Sequence, residues 1–114
     1  MYKNQRQSDR VEVSLPIQIS IGSQLTIQGK IKDLSDKSAF IIMKSSVYME
    51  LNEEIKFEIR RSSEDEKACV EGLARISRLA PGVGIAIYFT EMNEASSKQL
   101  DGLVNHKSGM DKTV

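Results

Sequence analysis

Val11-Glu-Val-Ser-Leu-Pro-Ile-Gln-Ile-Ser-Ile21 places an apolar side chain at every odd position and, between them, Glu12, Ser14, Pro16, Gln18 and Ser20. A period of two belongs to a strand with one buried and one wet face. The run is longer than an ordinary strand, which suits a strand bending around a barrel, with Pro16 marking an edge or bulge. Gly22-Ser23 supplies a turn, and Leu25, Ile27, Gly29 and Ile31 carry the alternation into a second strand. Ala39-Phe-Ile-Ile-Met43 reads as a short third strand. Ile55, Phe57 and Ile59 mark a fourth, Val70, Gly72, Ala74 and Ile76 a fifth, and Ile85, Ile87 and Phe89 a sixth. Ser62-Ser-Glu-Asp-Glu-Lys67 is a charged, solvated hairpin tip, and Pro81-Gly82 is a turn. Asn93 is suited to cap a short helix through Val104, whose Leu100, Leu103 and Val104 pack on the sheet or close a barrel end. The expectation is a mainly β chain: a small six-stranded antiparallel barrel with a short C-terminal helix. It divides into an arm over residues 1–10, a barrel and helix over 11–104, and a mobile tail over 105–114 with little to bury.

The chain has 114 residues, enough for one modest core. Sixteen acidic residues balance sixteen basic ones, which argues against nonspecific attraction to DNA or RNA. Three Tyr, three Phe and no Trp are too few for a single-strand stacking platform. Cys69 is the sole cysteine, so neither an internal disulfide nor a CxxC metal site is available. The first residues form no apolar signal core, and no stretch reaches membrane-spanning length, so a cytoplasmic protein without membrane insertion is expected.

Two polar motifs flank the first apolar stretches: Arg6-Gln-Ser-Asp-Arg10 and Asp33-Leu-Ser35-Asp-Lys-Ser38. Arginines four apart project to one side in either an extended or a helical backbone. Each guanidinium can fork onto a phosphate or onto guanine O6 and N7. A carboxylate and a hydroxyl accept from guanine N1 and N2, which arginine cannot satisfy. One motif supplies donors and the other acceptors, the pattern of a guanine nucleotide site. Read singly, the arginines are a solvated arm, and Asp33 and Ser35 are a turn satisfying its own amides. The loop role and the binding role are compatible.

With both motifs at this spacing, the sequence resembles the PilZ domain, the bacterial receptor module for cyclic di-GMP. That family's signatures are RxxxR in an N-terminal arm and (D/N)xSxxG at the end of the second strand. Val70-Glu-Gly72 and Gly82-Val-Gly84-Ile-Ala-Ile-Tyr-Phe89-Thr belong to the same resemblance, which spans roughly residues 5 to 104. It implies that Arg6 and Arg10 grip phosphate and a guanine Hoogsteen edge, and that Asp33 and Ser35 receive the ligand from the barrel, with Ser38 as a further contact. Two positions depart from the family's pattern. Ser38 stands where its glycine would be, and a positive φ there would strain a serine by roughly 1 kcal/mol. Gln5 stands before Arg6, where many members carry another arginine, a position that bears on whether one nucleotide or a stacked pair is held.

No catalytic constellation is legible. Glu53-Glu54 and Glu64-Asp65-Glu66 lack the buried, environment-split geometry of acid and base, and His106 has no spaced partner. There is no phosphate loop, nucleophile elbow or metal-ligand cluster. The expectation is a regulatory module without catalytic activity, cofactor or metal. Cyclic di-GMP orders its arm, and a motility, adhesion or polysaccharide-export protein reads the result. The alternative is a degenerate PilZ adaptor that no longer binds nucleotide and acts through protein contacts alone.

Overall fold

A computed structural model describes residues 10–23, 25–43 and 49–113, with side chains described as far as Asn105. Six strands follow in order: β1 (Val11–Ile21), β2 (Leu25–Leu34), β3 (Ser38–Ile42), β4 (Glu54–Ile59), β5 (Val70–Ala80) and β6 (Gly84–Met92); α1 (Glu94–Thr113) comes last. They close into an antiparallel barrel in the order β1-β2-β3-β6-β5-β4. The length of β1 allows the closure. It pairs with β2 from Val11↔Leu34 to Ile21↔Leu25, and its second half also pairs with β4 from Ile17↔Ile59 to Ser20↔Lys56. Closure gives each strand a hydrogen-bonded neighbour on both sides.

Pro16 lies where β1 parts from β4, and its carbonyl accepts the Arg60 N–H at 3.1 Å. Because a strand residue's N–H and C=O point to the same side, the donor that proline lacks falls beyond the β4 ladder, so no β2 bond is lost. The odd positions of β1 face inward: Ile17 and Ile19 join Ile31, Ile41, Ile55, Phe57, Ile59, Ile76, Ile85 and Ile87 in the core. At one end of the barrel interior, Phe57 and Phe89 pack with ring centroids 5.0 Å apart.

Asn93 caps α1 as its sequence suggests: its Oδ1 accepts the Ser96 N–H at 2.8 Å. Leu100 and Val104 are buried against the barrel, and the buried Ser96 hydroxyl accepts the Glu71 N–H at 3.0 Å. The helix does not stop at Val104. Its backbone continues to Thr113, through the segment expected to be a mobile tail. The physical reason is local. Asn105 Nδ2 donates to Asp101 Oδ1 at 2.6 Å, one turn back, no proline follows to break the ladder, and a helix satisfies its own backbone without an apolar face.

Candidate ligand-binding site

The alternation that builds β2 would turn Asp33 into the barrel, because Leu25, Ile27, Gly29 and Ile31 share its parity. A β-bulge prevents this. Ile31 faces Ile41 and Asp33 faces Phe40 on β3, so Lys32 is the extra residue. Past it, Leu34 is fully buried and the Asp33 carboxylate points outward with about a quarter of its surface exposed. Without the bulge an unpaired carboxylate would enter the core, at a cost of several kcal/mol.

Residues 35–38 form a tight loop held from within by one hydroxyl. Ser35 is 2% exposed, and its Oγ accepts the Lys37 N–H at 3.1 Å and the Ser38 N–H at 3.0 Å. Its own N–H donates to the Ser38 carbonyl at 2.9 Å. The Lys37 carbonyl then accepts the Phe89 N–H at 2.9 Å, fastening the loop to β6. Ser35 thus plays the turn role available to it in the sequence, with its hydroxyl directed into the loop.

Arg10 reaches this corner from the start of β1, since Val11 lies opposite Leu34. Nη1 donates to Asp33 Oδ1 at 2.6 Å and Nη2 to Ser38 Oγ at 3.0 Å. One guanidinium therefore joins the two motifs. The Arg10 side chain is 51% exposed and that of Asp33 27%, so the pair contributes at most about 1 kcal/mol to stability. A ligand can displace such a contact readily.

Ser38 differs from its sequence reading. Among the described residues only Asn52 has positive φ without being glycine. Ser38 is the first residue of β3, opposite Tyr88, and has ordinary strand backbone. The strain foreseen for a serine in place of glycine is absent, because cross-strand pairing already fixes an extended conformation. Its hydroxyl instead adds an acceptor for Arg10. Arg6, the other half of the first motif, lies outside the described residues, and the side chain of His106 is likewise undescribed.

The family model of the PilZ domain matches residues 4–106. The chain belongs to the PilZ domain family. No curated protein matches it by sequence. Several solved structures share the fold, three of which illustrate it. The Bacillus subtilis inhibitor of motility (MotI/DgrA) superposes with a TM-score of 0.75 at 15% identity, over 96% of this chain and 53% of that one. This PilZ chain therefore spans about half the length of that protein. The PilZ domain of CeSA from a cellulose-synthesizing bacterium gives a TM-score of 0.60 at 24% identity, over 89% and 99% of the two chains. The PilZ domain of YcgR from Escherichia coli, solved with c-di-GMP, gives 0.67 at 11% identity, over 96% of each.

The barrel's other polar features carry less chemistry. Among the described residues no group of three or more His, Cys, Asp or Glu is placed to hold a metal ion, and no helix is long and apolar enough to cross a membrane. Cys69 is half-buried, and loss of solvation pushes its thiol pKa up, against a smaller opposing pull from Arg61. A thiol shifted in that direction stays protonated and unreactive at neutral pH. Gly84 packs against backbone: a Cβ there would collide with the Ile41 carbonyl oxygen.

Proposed function

We propose that this PilZ domain is a non-catalytic cyclic di-GMP receptor whose ligand docks at the corner made by Arg10, Asp33, Ser35 and Ser38. The observation that carries the reading is the Arg10 guanidinium, which meets Asp33 and Ser38 together. In the free protein it offers two N–H donors to a carboxylate and a hydroxyl. A guanine edge offers the same pair of donors, N1–H and N2–H, and can take its place on Asp33 and Ser38. Arg10 is then released to fork onto phosphate or onto guanine O6 and N7, with Arg6 from the same arm. Ser35 holds the loop that presents Asp33 and Ser38. YcgR, a structural neighbour solved with c-di-GMP, supports the ligand assignment.

Exchange of a weak internal contact for ligand contacts gives the switch. Arg10 moves from Asp33 to the nucleotide, and the changed surface is read by a protein partner in the cytoplasm, a motility, adhesion or polysaccharide-export component. MotI, an inhibitor of motility, favours the first of these. The test is isothermal titration with cyclic di-GMP, with GTP and cyclic di-AMP as controls. Selective binding near micromolar, about −8 kcal/mol, is expected. No heat and no thermal stabilisation at high ligand excess would leave the nucleotide-independent adaptor as the function.

A further inference from the structure

A second bulge mirrors the one at Asp33. Along β5 the inward positions Val70, Ala74 and Ile76 share the parity of Arg78, which uninterrupted alternation would bury. Instead Ile76 pairs with Ile87 and Arg78 with Ala86, leaving Ser77 as the extra residue, and Arg78 emerges on the outer surface. Two of the residues that bulges turn outward lie in one cross-strand row: Asp33 on β2, Phe40 on β3, Ala86 on β6 and Arg78 on β5. Ala86 is small, so the Arg78 side chain crosses it and brings its guanidinium carbon over the Phe40 ring, 5.5 Å from the centroid. Neighbouring Arg75 is tied instead to the Asn52 carbonyl at 2.6 Å.

We infer that Phe40 and Arg78 form a stacking platform for the guanine base whose edge is held at Asp33. The inference rests on the receptor reading and extends its site from the motif loop onto the outer face of β3 and β5. Three strand intervals separate Asp33 from the Arg78 backbone, about 14 Å, but the guanidinium folds back over Phe40, whose backbone is Asp33's cross-strand partner one interval of about 5 Å away. That separation matches the width of a purine. Phe40 is partly covered and Arg78 is exposed, so the guanidinium presents its outer side to solvent as a flat, cationic surface already oriented by the ring beneath. A purine anchored by its edge at Asp33 can lie on that surface. The platform favours any planar base, and the Asp33 acceptor selects guanine.

The full chain should be titrated with cyclic di-GMP as wild type, Arg78→Ala, Arg78→Lys and Phe40→Leu, with Lys56→Ala on β4 as a control for loss of one positive charge. Arg78→Ala should weaken binding about tenfold, the scale of a partly desolvated cation–π contact. Arg78→Lys keeps the charge but loses the plane and should remain several-fold weaker. Phe40→Leu should weaken binding and make the further change Arg78→Ala nearly silent, because the guanidinium has lost its support. Lys56→Ala should bind as wild type. Wild-type affinity in Arg78→Ala, or full rescue by lysine, would overturn the platform and leave the receptor reading standing. Failure of the wild type itself to bind would overturn both.

Discussion

Ser38 and Ser35 do opposite things with the same hydroxyl. Ser35 spends its oxygen inside the loop, accepting two amides while itself 2% exposed. Ser35→Ala would leave those amides short of an acceptor and should destabilise the domain by about 1–3 kcal/mol, read as a lower urea midpoint at unchanged slope. Ser38 turns its oxygen to Arg10, on backbone free of strain. Ser38→Gly should therefore cost about 0.5–1 kcal/mol through the flexibility of glycine in a strand, and should not tighten cyclic di-GMP binding. A more stable or tighter-binding Ser38→Gly protein would show that the extended conformation of Ser38 is wrong. Both motifs were legible in the sequence because donors and acceptors are residue types. The Ser38 conformation was not, since its φ is set by pairing with Tyr88, fifty residues away. Burial likewise sets the reactivity of Cys69: with its pKa raised, iodoacetamide at pH 7 should modify it more slowly than a solvent-exposed model thiol, and faster reaction would contradict its half-buried environment.

Strand identity was legible and strand parity was not. Alternation located all six strands, since inward apolar residues at period two are what a closed barrel requires. Parity fails at Asp33, Arg78 and Glu91, each turned outward by one extra residue in its ladder, and no residue type in Ile31-Lys-Asp33 or Ile76-Ser-Arg78 announces a bulge. The only sequence signal is a charge at a position that alternation would bury, which is itself a reason to expect a break. The helix departs from its sequence pattern in the opposite sense: the apolar anchors end at Val104, and the backbone of α1 continues to Thr113. Where β3 meets β6 the elements approach too closely for any side chain at Gly84. Gly84→Ala should push β6 off the Ile41 carbonyl and cost about 3 kcal/mol or more, seen as a thermal midpoint many degrees lower. An unchanged midpoint would mean that the two strands are farther apart than the Ile42↔Gly84 pairing places them.

Across the whole molecule, the barrel supplies both the strand pairings and the acceptors of the proposed site, while the motif arginines lie before the start of β1. Every strand pairing among the described residues lies between Val11 and Met92, and α1 packs on the barrel from the far end of the sequence. The charge balance of sixteen against sixteen leaves no general field to attract an anionic ligand, so capture depends on the few cations at the site. Removing residues 1–9, Arg6 among them, leaves all of those pairings intact. The truncated protein should keep its unliganded melting temperature within about 2 °C, the shift that about 0.5 kcal/mol produces, since none of the described strand pairings is removed. Its response to ligand should collapse. At a ligand concentration a hundred times the dissociation constant, the full chain gains about 2.7 kcal/mol and should melt roughly 10 °C or more higher. With Arg10 as its only remaining motif arginine, the truncated chain should show little of that shift at the same concentration. A full shift after truncation would locate the ligand contacts entirely on the barrel and remove the arm from the switch.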